Sequence, residues 1–123
     1  PDNPQRNYEQ AIYCYQSLLY TDPKSAQVNY LLGRLYNDEA NLKKDSLLAQ
    51  KFYERALKLD DNFSDAHLCL AILLMDNKNP HKGFSASLLY YKKALEFDSN
   101  SPQIHYNFGL LYTIKENPYR DPE

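Results

Sequence analysis

The chain matches itself when it is shifted by 38 residues. Ala11, Ala49 and Ser87 align, as do Tyr15, Tyr53 and Tyr91, and Leu19, Leu57 and Leu95. Leu18, Ala56 and Ala94 share one position, and Asp22, Asp60 and Asp98 another. A second block keeps the same offset: Leu32-Gly33, Leu70-Ala71 and Phe108-Gly109, each followed three residues on by Tyr36, Leu74 and Tyr112. The polar stretches repeat too, with Asn3, Asn41, Asn79 and Asn117 in register and a base three residues after each. A chain with such a period does not build one central core. Each unit presents the same apolar face, buries little of it alone, and covers it by packing against its neighbours.

Each period reads as two helices. The segments 8–20, 46–59 and 86–97 carry apolar residues at i, i+4, i+7 and i+8, for instance Ala49, Tyr53, Ala56 and Leu57. The segments 24–37, 64–76 and 102–116 do the same, for instance Val28, Leu32, Leu35 and Tyr36. Asp22-Pro23 and Ser101-Pro102 read as an N-cap followed by proline at the first helical position. Asn79-Pro80 with Gly83, and Asn117-Pro118, read as stops. No stretch alternates with period two, so no strand is expected.

Charge excludes several functions. Fourteen Lys and Arg against sixteen Asp and Glu give a net charge of −2. Nucleic acid and membrane surfaces are therefore not expected partners. The longest apolar run, Leu68 to Met75, is too short to cross a bilayer. Three glycines and seven prolines in 123 residues are too few for low-complexity material. The two cysteines, Cys14 and Cys69, form no Cys-x-x-Cys or Cys/His cluster. They read as small, buried apolar residues of a reducing, intracellular and cytoplasmic setting. The chain opens at Pro1 with no visible signal peptide and is expected to be an excerpt.

With these residues in place, the chain resembles the tetratricopeptide family. That family carries Leu-Gly-x-x-Tyr in a first helix and Ala-x-x-x-Tyr/Phe-x-x-Ala in a second. Leu32-Gly33-x-x-Tyr36 and Phe108-Gly109-x-x-Tyr112 match the first pattern, and Leu70-Ala71-x-x-Leu74 matches it loosely. Ala49-x-x-x-Tyr53-x-x-Ala56 matches the second in full; Ala11-x-x-x-Tyr15-x-x-Leu18 and Ser87-x-x-x-Tyr91-x-x-Ala94 match most of it. The resemblance implies an all-α α-solenoid of antiparallel helix pairs, with about six helices. It further implies a second helix of an incomplete repeat at 8–20, complete repeats at 24–59 and 64–97, and a further first helix at 102–116. The period departs from the usual length of about 34 residues. The extra residues fall between paired helices, since twelve residues separate Tyr36 from Ala49.

No enzyme constellation is present: phosphate-binding loop, nucleophile elbow and zinc-protease motifs are all absent. No catalysis, metal or cofactor is expected. His67 and His105 fall where the family packs its helices, and His81 falls in a loop. Binding is the better expectation. In the family the first helix of each pair lines a concave groove. Carried over, the groove residues are Gln27, Tyr30, Arg34 and Asn37, then Asp65, Leu68, Ile72 and Met75, then Gln103, Tyr106, Leu110 and Thr113. The middle helix is apolar all round, which leaves Leu68, Ile72 and Met75 to face a partner.

Arg6, Lys44, Lys82 and Arg120 recur once per period and would form a basic ladder along the loop edge. The expected function is protein–protein interaction: a groove that takes an extended peptide or an amphipathic helix and scaffolds a complex. Two alternatives stand beside it. One is an architectural subunit that packs on its own flanking repeats or on a second copy. The other is the accessory arm of an enzyme whose catalytic domain lies elsewhere.

Overall fold

The computed structural model describes residues 3–75 and 80–116. Six helices follow one another: α1 (Pro4–Thr21), α2 (Ala26–Asn37), α3 (Ser46–Leu59), α4 (Ser64–Met75), α5 (Pro80–Phe97) and α6 (Pro102–Glu116). No strand occurs among the described residues, so the fold is all-α. The chain divides into two compact units, Pro1–Asp61 and Asn62–Glu123. The division falls between the stretches 24–59 and 64–97.

Two helix starts differ from the sequence expectation. The helices expected at 8–20 and 86–97 begin at Pro4 and Pro80 instead. In both, a proline opens the helix, so Pro80, expected in a stop, is a start; Asn79 lies outside the described residues. Proline at the first helical position loses no bond, because that N–H has no intrahelical acceptor. Asn3 then caps α1 by accepting from the Gln5 N–H at 3.0 Å. Asn117-Pro118 lies outside the described residues.

Asp22-Pro23 is likewise not the start of α2. The Asp22 N–H bonds the Leu18 carbonyl at 2.8 Å and closes α1. Ser25 is the cap, its hydroxyl accepting from the Val28 N–H at 3.1 Å. The same device opens α6, where the Ile104 N–H reaches the Ser101 hydroxyl at 3.3 Å. Asp60 and Asp98 close α3 and α5 through Ala56 and Ala94, as Asp22 closes α1. The period thus extends to the backbone hydrogen bonds.

In the first unit α2 packs on α3, and α1 packs on α2. Leu32, Ala49, Tyr53 and Ala56 are buried. Gly33 has a specific task. A Cβ at that position would sit 2.6 Å from Tyr53 Cε1, so only glycine admits the ring. Tyr30 tilts against the Tyr53 ring at 6.1 Å between centroids, and Tyr36 stacks on Phe52 at 5.8 Å.

In the second unit α4 packs on α5, with α6 against both. Leu68, Ala71, Tyr91, Ala94, Ile104 and Leu111 form its buried cluster. Ala71 and Ser87 meet closely enough for the Ser87 hydroxyl to donate to the Ala71 carbonyl at 2.9 Å. Gly83, expected in a stop, lies inside α5 against the end of α4. A Cβ there would fall 2.3 Å from the Leu74 carbonyl oxygen. His67 is buried with the Tyr90 and Phe97 rings beside it, which agrees with a packing role.

Candidate functional site

The groove positions split into covered and open residues. On α2, Gln27 and Arg34 are exposed, but Tyr30 retains only 8 % exposure. Its ring lies under the Arg34 guanidinium at 5.8 Å, which fixes the cation over an aromatic face. Asn37 is half-buried, its side-chain oxygen accepting from the Ser46 hydroxyl at 3.2 Å.

On α4 the expectation of an open apolar face fails. Asp65 is exposed in the first turn, where its charge suits the positive end of the helix dipole. Leu68, however, is 6 % exposed and belongs to the core of its unit. Ile72 and Met75 are half-buried against the same cluster, which includes Ile104 and Leu111 of α6. A helix apolar on all sides is one whose sides are all used, and here α5 and α6 use them.

Only α6 presents the open strip that the spacing predicts. Gln103, Tyr106, Leu110 and Thr113 lie at helical spacing and are all exposed, Tyr106 by 69 %. Their local bonds leave the strip clear. The Thr113 hydroxyl donates to the Gly109 carbonyl at 3.1 Å, and Asn107 beside them donates to the Gln103 carbonyl at 2.9 Å.

The basic ladder is only partly described. Arg6 is exposed, while Lys44 pairs with Glu39. The Lys82 side chain and Arg120 lie outside the described residues. Beside Lys44, Lys43 reaches Glu9 of α1 at 3.1 Å. That contact holds the Glu9 carboxyl below its ordinary range. The loop-edge lysines are thus matched by acids of the same unit, which weakens any field they could present.

The loop 38–45 is more ordered than its sequence suggests. Gln5 of α1 clamps it with both ends of its amide: Nε2 donates to Asn41 Oδ1 at 3.1 Å, and Oε1 accepts from the Leu42 N–H at 2.8 Å. Asn41 is buried, donating to the Leu35 carbonyl at 2.9 Å and accepting from the Lys43 N–H at 2.9 Å. Asp38 accepts from the Ala40 N–H at 2.9 Å. That bond, with a second from the Tyr8 hydroxyl, holds its carboxyl below the usual range, and the second bond pushes the Tyr8 phenol up.

Cys14 is exposed, contrary to the expectation of burial, and Cys69 is half-buried; no disulfide joins them. Among the described residues no group of three His, Cys, Asp or Glu side chains is placed to hold a metal ion. No helix among them is long and apolar enough to cross a membrane. Compared with models of known protein families the chain matches none, and no curated protein matches its sequence.

Proposed function

We propose that this chain is a non-catalytic protein-interaction module, built as a tetratricopeptide-like α-solenoid of antiparallel helix pairs. Its role is to hold a segment of another protein and so to scaffold a complex. One observation carries the binding reading: Tyr106 and Leu110 stay exposed on one face of α6, while Leu68 and Tyr30, the counterparts of Tyr106 in the other periods, are covered. Tyrosine offers a broad apolar body with a polar tip, and Leu110 one turn away extends the apolar strip. Gln103 and Thr113 bracket that strip with hydrogen-bonding groups. Such a surface suits an extended peptide or the apolar face of an amphipathic helix.

The repeat reading is supported by the contact of Gly33 with Tyr53 and by the bond from Ser87 to Ala71. Both put a small residue where two helices approach closely, at the positions the period predicts. The test is affinity capture followed by mass spectrometry, comparing the native chain with a Tyr106→Ala, Leu110→Glu chain. Both side chains are exposed, so circular dichroism should be unchanged while captured proteins are lost. Capture of the same proteins by both chains overturns the reading.

A further inference from the structure

We infer that the outer face of α3 docks an acidic, leucine-containing helical segment of another protein. The inference goes beyond the Tyr106 strip, because α3 belongs to the first unit and α6 to the second. α3 buries Ala49, Phe52, Tyr53 and Ala56 and turns its opposite side to solvent. On that side Leu47, Lys51, Glu54 and Lys58 follow at i, i+4, i+7 and i+11, with Arg55 one turn beyond Lys51. All five are exposed, Leu47 by 66 %. Lys51, Arg55 and Lys58 thus form a basic stripe with an apolar side chain at its head.

Three features separate this stripe from lysines that only keep a surface wet. The first is unmatched charge. Lys43 and Lys44 pair with Glu9 and Glu39, but none of the ion pairs among the described residues includes Lys51, Arg55 or Lys58. The one acid on the stripe, Glu54, accepts from the Gln50 amide at 3.1 Å. The second is order. The Arg55 guanidinium lies over the Phe52 ring at 5.4 Å, and that ring stacks on Tyr36 with 3° between the planes. A cation already held on a fixed ring loses little further freedom when it meets a carboxylate. The third is Leu47, which adds an apolar contact beside the charges. Three bases one turn apart suit carboxylates at the same spacing on a facing helix. A nucleic acid gains affinity with each phosphate neutralised, and three bases interrupted by Glu54 neutralise few. An anionic membrane is opposed by the net charge of −2.

The test is fluorescence polarisation with a labelled helical peptide carrying one Leu and three Glu at the spacing of Leu47, Lys51, Arg55 and Lys58. A twin peptide with Gln for each Glu is the control. The native chain should bind the Glu peptide with a dissociation constant below about 1 mM, more weakly as salt rises, and should not bind the twin. A Lys51→Glu, Lys58→Glu chain keeps the Arg55 contact with Phe52 and should bind about tenfold more weakly or worse, because attraction becomes repulsion at two sites. A Lys51→Arg, Lys58→Arg chain should bind as the native chain does, and circular dichroism checks that both variants stay helical. No binding up to about 1 mM, equal binding of the twin, or native-like binding by the reversed chain each overturns the inference. So does tighter binding of a single-stranded RNA oligonucleotide or of phosphatidylserine vesicles. The Tyr106→Ala, Leu110→Glu chain leaves α3 untouched and should bind the peptide normally, so failure of this inference and failure of the Tyr106 reading are separate results.

Discussion

The Tyr53 ring occupies the space that a side chain on Gly33 would need, its Cε1 lying 2.6 Å from where that Cβ would be. Tyr53 is itself 2 % exposed, so the ring has little room to withdraw. Gly33→Ala should therefore destabilise the chain even though alanine is the better helix former. Overpacking costs about 1–3 kcal/mol against roughly 1 kcal/mol of regained helix propensity. Gly109→Ala should do the opposite and raise stability by up to about 1 kcal/mol, since nothing stands near it. Urea unfolding of the two variants checks the pair of signs.

Gly83 faces backbone rather than a ring. A Cβ there would lie 2.3 Å from the Leu74 carbonyl oxygen, and backbone cannot swing aside as the end of a flexible side chain can. Gly83→Ala should force α5 away from α4 and cost more than Gly33→Ala, roughly 2–4 kcal/mol. A similar loss in both would show that the second unit adapts as readily as the first.

Ser87 stands where the other periods have alanine, and its hydroxyl bonds the Ala71 carbonyl. Ser87→Ala should cost about 0.5–1.5 kcal/mol, the net worth of one hydrogen bond. Ser87→Val should cost clearly more, because the site is fully buried and the added methyl groups have no space. Thermal unfolding of the two variants separates loss of a bond from overpacking.

Asn29 is fully buried, and its side-chain oxygen has no hydrogen-bond partner. Its amide nitrogen donates to the Ser25 carbonyl, which already accepts from the Asn29 N–H. Asn29→Leu keeps the number and branching of the side-chain heavy atoms and removes the uncompensated oxygen. It should be neutral or stabilising by about 1 kcal/mol. A clear drop in denaturation midpoint would show that the amide is needed.

Asp38 and Glu9 have lowered carboxyl pKa values, from the Ala40 N–H and Tyr8 hydroxyl in one case and Lys43 in the other. A depressed folded-state value favours the charged, folded form. The contribution is present above the ordinary carboxylate value of about 4 and is lost as pH falls through the lower folded values. The raised Tyr8 phenol acts in the other direction: its contribution is present below about 10 and is lost as pH rises further. Asp38→Asn keeps an acceptor for Ala40 but removes the charge, so the acid limb of a pH-stability curve should flatten in part. An unaltered acid limb would assign no role to that charge.

The legible part of this fold is what the period enforces. Tyr53 and Tyr91, and Ala56 and Ala94, are buried as alignment of the repeats suggests; Asp22, Asp60 and Asp98 also share one role, but it is closing a helix and not the N-cap expected at Asp22. Asn-Pro was ambiguous because proline is tolerated on either side of a helix boundary; only the run of N–H groups beyond Pro80 decides which. The candidate groove was less legible. Leu68 and Tyr106 occupy the same register three residues before Ala71 and Gly109, yet one is buried and the other open. Register assigns a residue to a face of its helix, whereas exposure depends on which helices lie against that face. The Gln5 clamp on Asn41 was invisible for a similar reason, since it joins side chains 36 residues apart through two hydrogen bonds that no local spacing encodes.

That clamp alters what the stretch from Ala40 to Asp45 amounts to. It belongs to no helix, and Leu42 and Lys43 are exposed at its surface. Yet every N–H from Ala40 to Asp45 is already donated: to Asp38, Gln5, Asn41 and Tyr36 in turn. A protease must draw a segment out straight and take up its amides before it can cut. Lys43 and Lys44 are therefore poor trypsin sites despite their exposure, and this stretch behaves as a fastened corner rather than slack cord.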